Sequence, residues 1–138
     1  MAQINFPTSP ANGELFIGNG INFIFDDAKS TWRRAVTRVF YLLQLNPFTS
    51  PITGNVGFSP TETIQLLSIN ITLNEHVSSG ITIRIKKNNT SLQEFTINTG
   101  ELSFSADFNT NSITTSDNIY LDIVSGSGAD LSAKFNYI

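Results

Sequence analysis

The chain has 138 residues, of which 40% are hydrophobic and 14% charged, and its net charge is −3. That length supports one core of ordinary size and excludes two full domains. The weak negative charge gives no attraction to nucleic acid or an anionic membrane, and the lack of cysteine excludes a disulfide framework, thiol catalysis and a zinc–thiolate site.

A charged fraction this low contrasts with about 25% in ordinary chains. Asn, Ser and Thr fill the difference, at about a third of all residues. Thr favours strands while Asn and Ser favour turns, so the composition suits a β-rich shell. Met1 is followed by polar residues and Pro, so no secretory signal is read there. The longest apolar run, Val39 to Leu43, is too short for a membrane span.

Phe6-Pro7 and Ser9-Pro10 predict an extended entry with little helix. Asn12-Gly13 turns the chain into the apolar run Leu15, Phe16, Ile17. Gly18-Asn19-Gly20 predicts a hairpin, because Gly and Asn accept the positive φ of primed turns. Ile21, Phe23 and Phe25 alternate with Asn22 and Ile24 on the return strand. Asp26-Asp27 begins the next turn and Trp32 closes the unit. The expectation is a small β-hairpin module, residues 1–34, with an aromatic seam.

This stretch resembles a module common in virion proteins of tailed bacteriophages, notably marine and cyanobacterial ones. Phe6, Pro7, Ser9, Pro10, Gly13, Asn19, Gly20, Phe23, Asp26, Lys29 and Trp32 carry the likeness. Phe25 departs from it, standing where members often have Trp or Tyr. The likeness covers about a fifth of the chain. It implies a structural protein of the virion surface, made in the bacterial host cytoplasm; such proteins are often trimers, so a homotrimer with the strand Val39–Leu43 at or near its interface is expected. The implied partners are copies of itself and the major capsid protein or another virion protein.

From Ala35 to Leu45 two periods compete. Val36, Val39, Phe40 and Leu43 fit a helical face, but β-branched and aromatic residues favour a strand, which is the expectation here. Val39, Phe40, Tyr41, Leu42 and Leu43 are then apolar on both faces. One set, Val39, Tyr41 and Leu43 or else Phe40 and Leu42, needs a cover beyond its own core. The aromatic N-terminal module or another subunit is expected to supply it. Asn46-Pro47 is expected to end the strand. A loop follows to about Thr61, with short edge strands at Ile52-Thr53 and Val56-Gly57-Phe58.

Thr63 to Leu73 predicts a long strand whose face flips near Leu66-Leu67, the mark of a bulge. Ile81, Ile83 and Ile85 face inward on the next strand, Phe95 and Ile97 on its hairpin partner. Leu102, Phe104, Ala106 and Phe108 alternate in turn. Asn109 to Asn118 is expected to be a loop, before the strands at Ile119–Ile123 and Leu131–Tyr137, joined by a turn at Ser125–Gly128. The fold expected for residues 35–138 is an antiparallel β-sandwich of jelly-roll type. Ile81 to Ser127 resembles the C-terminal sandwich domains of phage fibre and appendage proteins.

No catalytic constellation emerges, so the chain is expected to be no enzyme and to need no cofactor. His76 stands alone beside Glu75, with no serine in a nucleophile elbow. The glycines of Gly126–Ala129 lack the Lys of a phosphate loop. Asp26, Asp27, Asp117, Asp122 and Asp130 lie at turns or strand ends, where they cap turns or, in some sandwiches, hold Ca²⁺; no metal site is expected. Arg33, Arg34 and Arg38 are either a solvated strand edge or a docking patch for an acidic partner. With Val39–Leu43 they form the expected interface. Tyr120 has outward parity and Trp32 is expected to be partly exposed, so these two are the candidates for a host glycan. The sequence therefore points to a capsid-surface decoration protein, a cement protein or a short head fibre. Its opening at Met1 is expected to mark a free-standing protein. The alternative is a tail-fibre module that binds glycans.

Overall fold

The computed structural model describes residues 3–54 and 57–138, with backbone alone at 110 and 111. It is antiparallel β throughout, with a single short 3-10 turn at Asp27–Lys29 and no α-helix among the described residues. The N-terminal module is a three-stranded sheet of β1 (Leu15–Gly18), β2 (Ile21–Asp26) and β3 (Thr31–Arg34). Gly18 pairs with Ile21, which leaves a two-residue turn with Asn19 at φ 51° and Gly20 at φ 75°, the primed geometry that hairpins need. Phe6 folds back over this sheet. It stacks on Trp32 at 5.4 Å and meets the edge of Phe23 at 5.0 Å.

The sandwich begins at β4 (Arg38–Thr49), followed by β5 (Ile64–Thr72), the two-residue β6 (Glu75–His76), β7 (Gly80–Lys87), β8 (Thr90–Asn98), β9 (Ser103–Ile113), β10 (Ile119–Ser125) and β11 (Ser127–Tyr137). One sheet runs β4-β11-β5-β9, with β6 beside β11. The other runs β10-β7-β8. Ile52 and Phe58 each bridge to β10, so the segment after β4 crosses over and borders the second sheet. With Ile52 and Phe58 placed beside β10 by these bridges, the strand order of the described residues follows that of a jelly roll. Val56, predicted to share this edge, lies outside the described residues.

Alternation explains the core. Ile81, Ile83 and Ile85 are fully buried, as are Ile97, Ile119, Leu131, Ala133 and Phe135. Each large apolar side chain buried this way stabilises the fold by roughly 1.5–3 kcal/mol. The bulge expected near Leu67 falls between Leu66 and Ser68. Several boundaries differ from expectation: β4 begins at Arg38 and not at Ala35, and β11 begins at Ser127 and not at Leu131, which reduces the turn expected at Ser125–Gly128 to Gly126. β4 does not stop at Asn46-Pro47 but runs to Thr49. It is an outer strand, where proline is tolerated, and a register shift opposite Ala129 and Leu131 absorbs the irregularity. Asn46 and Asp130 both take positive φ there, and the Asn46 N–H donates to Asp130 Oδ1 at 2.7 Å. Likewise β9 continues through Asn109 to Ile113, where a loop was expected, because β5 pairs with it as far as Ile64–Ile113.

The module rests on the sandwich through side chains. The Arg33 guanidinium donates to the Thr63 carbonyl and pairs with Glu62 at 3.3 Å, while Arg38 holds the other Glu62 oxygen at 2.9 Å. The Ser112 hydroxyl donates to the Asn12 carbonyl at 2.9 Å. Gly13 has φ 78°, and a Cβ there would lie 1.9 Å from Ser112 Oγ. Only glycine allows that approach.

Candidate functional site

β4 carries the most conspicuous surface of the molecule. Its side chains alternate, so even-numbered residues point into the sandwich and odd-numbered ones away from it. Phe40 is 7% exposed, stacked on Phe58 at 3.8 Å and Phe135 at 4.5 Å. Leu42 is half-buried beside the same core. Val39 is 46% exposed, Tyr41 55%, Leu43 58% and Leu45 58%. The expected interface therefore divides: Val39, Tyr41 and Leu43 are on the surface, and Phe40 and Leu42 belong to the core. The N-terminal module leaves the stripe open, since Phe16, Phe23 and Phe25 pack with Phe6 and Trp32 instead.

The stripe borders a polar field on the same sheet face. Asn136 lies next to Val39, Lys134 next to Tyr41 and Ser132 next to Leu43. Asn136 Nδ2 donates to Ser68 Oγ and Asn70 Oδ1, both at 2.9 Å, and Asn70 Nδ2 donates to Ser105 Oγ at 2.7 Å. These amides and hydroxyls satisfy one another, and Lys134 and Asp107 bring charge to this polar face. Under the free edge of β4 runs a groove of about 420 Å³ between Tyr41–Gln44 and Ile52–Gly54, floored by Leu121. Leu45 and the Ile52–Gly54 wall were missed from sequence. The odd-number parity that marks Tyr41 marks Leu45 as well, whereas nothing local to Ile52 shows that it returns beneath β4.

The three arginines separate. Arg33 and Arg38 share Glu62, and burial lowers the Arg33 pKa from its ordinary value against the opposing pull of Glu62. Both hold the module in place rather than offering free cations. Of the three, Arg34 is exposed and has no ion pair among the described residues. Trp32 is half-buried in the module's aromatic cluster.

Tyr120 lines a second cavity, also about 420 Å³, with Lys86, Asn88, Asn89, Thr53 and Gly54. Lys86 Nζ sits 5.8 Å from its ring centre and pairs with Asp122 at 3.0 Å. Asp122 also accepts the Gly54 N–H at 2.8 Å. The Gly57 backbone presses against the Tyr120 ring so closely that a Cβ would meet Cε1 at 2.7 Å. Tyr120 is thus a wall of a polar cavity and not an open aromatic platform.

No protein-family model matches the chain, and no curated protein matches it in sequence. The assignment of a role therefore rests on these surfaces.

The remaining chemistry is local. Asp117 accepts from Thr114 N at 2.9 Å, Thr114 Oγ1 at 3.0 Å and Asn88 Nδ2 at 2.9 Å. Burial acts to raise its pKa, but these hydrogen bonds outweigh burial and hold it below the usual carboxylate value. Asp130 caps Asn46 and Asp122 caps Gly54. Among the described residues no three His, Cys, Asp or Glu side chains gather where a metal could bind. His76 Nδ1 lies 3.0 Å from the Glu101 carbonyl.

Proposed function

We propose that the chain is a non-enzymatic structural component of a phage virion surface, a decoration or cement protein or a short head fibre. The observation that supports this most is the apolar stripe Val39, Tyr41, Leu43 and Leu45 on a compact jelly roll. Exposing four large apolar residues in a row suits a protein whose working state is an assembly. The Phe6–Trp32 module adds the likeness to virion proteins. The stripe meets copies of the chain or a neighbouring virion protein, the major capsid protein first. Labelled antibody against the chain, applied to purified virions and viewed by electron microscopy, tests this. Label over the head is the expected result, and virions without label overturn it.

The cavity of Tyr120, Lys86, Asn88 and Asn89 favours a second reading, a tail-fibre module that binds host glycans. A ring edge beside amide and ammonium donors is suited to sugar hydroxyls. Label on the tail, together with glycan-array binding lost in Tyr120→Ala, selects this reading.

A further inference from the structure

We infer that β4 pairs with the β4 of a second copy about a two-fold axis through Leu42, joining two sandwich sheets into one. Among the described residues β4 is bonded along one edge only, to β11. Proteins protect such edges with charge, proline or irregular backbone, because an unprotected one pairs with another strand. Of the other outer strands of the sandwich, β8 carries Glu94 and β9 carries Asp107, while the outer β1 of the N-terminal sheet is uncharged but only four residues long. The run Val39–Leu45 carries no charge and no proline.

The register follows from what bounds the run. Arg38 stands at one end, held by Glu62. At the other, Asn46 takes a positive φ and Pro47 has no N–H to donate. Seven residues lie between, with Leu42 at their centre. An antiparallel two-fold there sets Val39 opposite Leu45 of the second copy, Phe40 opposite Gln44, Tyr41 opposite Leu43, and Leu42 opposite itself. Residues opposite each other in an antiparallel pair face the same side, so every exposed apolar residue gains an apolar neighbour. A shift by one residue would set the exposed set against the core set. Centring on Leu43 would bring Pro47 opposite Val39, and centring on Tyr41 would leave Leu45 outside the run.

Pairing a strand with its own copy uses the same surface twice and closes at two chains. A trimer, which the likeness to virion proteins implies, would need β4 to meet a different edge; the outer strands β8 and β9 of the sandwich carry charge, and the uncharged β1 spans only four residues, too few to match the seven of Val39–Leu45. The pair is small for a stable interface, so it forms at high micromolar concentration or where copies are held close together.

This inference concerns the purified protein and stands apart from the virion reading. A dimer never found on virions would leave it intact, and a labelled virion built from monomers would not rescue it. Light scattering at high micromolar concentration should give twice the chain mass of 15.1 kDa. A monomer or a trimer overturns the proposal. The double variant Tyr41→Lys, Leu43→Lys places like charges opposite each other twice and should halve the mass while keeping the β spectrum; a surviving dimer overturns the seam. Because the chain has no cysteine, a register test needs only one substitution and does not depend on that variant folding. Under mild oxidation Leu42→Cys should form a disulfide-linked dimer. Leu45→Cys, opposite Val39, should not. Cross-linking in both variants, or in neither, refutes the register.

Discussion

Phe40 and Tyr41 are adjacent in sequence, and truncating each to alanine should have opposite outcomes. The Phe40 ring is 7% exposed, between Phe58 and Phe135 with both planes nearly parallel to its own. Removing a ring from such a site costs about 3–5 kcal/mol in lost transfer energy and cavity formation. The folded state of a chain this long is worth about 7–20 kcal/mol. Each kcal/mol moves Tm by roughly 3–5 °C at this size, so Phe40→Ala should lower it by roughly 10–25 °C. Tyr41 is more than half exposed and touches its sheet neighbours only on one side. Tyr41→Ala should cost less than about 1 kcal/mol. Thermal and urea unfolding followed by circular dichroism measure both, in dilute protein where self-association does not contribute. If Phe40→Ala cost under about 1 kcal/mol while Tyr41→Ala cost several, the inward face of β4 would be assigned the wrong way round.

Three further outcomes follow from the structure. Glu62→Ala leaves the half-buried Arg33 without its carboxylate and should destabilise the fold by about 1–3 kcal/mol, with faster proteolytic cleavage at 35–37 as its readout; unchanged cleavage would mean that Glu62 does not hold the module. The pKa of Asp117 is lowered in the folded state, so its contribution to stability is present above the ordinary carboxylate value of 3.8 and is lost as pH falls through the lower folded value. Asp117→Asn should therefore weaken the protein at neutral pH yet flatten its loss of stability in acid, and an unchanged acid limb would remove the assignment. Chelation should leave Tm unshifted, because the Asp117, Asp122 and Asp130 side chains bind N–H, hydroxyl, amide or ammonium groups of the chain itself; a drop of several degrees would mean a bound metal.

Strand positions and their inward faces were legible wherever one side met water, as at Ile81–Ile85, because the alternation is itself the record of burial. On β4 the alternation is lost, since both parities are apolar, and only the stacking of Phe40 on Phe135 of the neighbouring strand decides which set is inside. The passage of β4 through Pro47 was hidden for a related reason. Asn46 and Asp130 accommodate it together, 84 residues apart, and each read alone is a turn signal. Asn109 to Ile113 has poor strand propensity, and pairing with β5 overrides it. The Glu62 bridge to Arg33 and Arg38 was invisible because no local pattern joins a loop acid to the arginines before it.

The placement of β11 between β4 and β5 has a consequence for synthesis. β4 cannot complete its sheet until Ser127 and the residues after it have been made. At about 5–20 residues per second, the nascent chain carries an unpaired β4 for roughly 4–18 seconds. During that interval the whole run Val39–Leu45, both its future core side and its stripe, is open to other chains. Such a segment is a site for aggregation in any partly made sheet. Slow codons between β4 and β11 would lengthen the exposure, and a chaperone that binds short apolar strands would find its first target there.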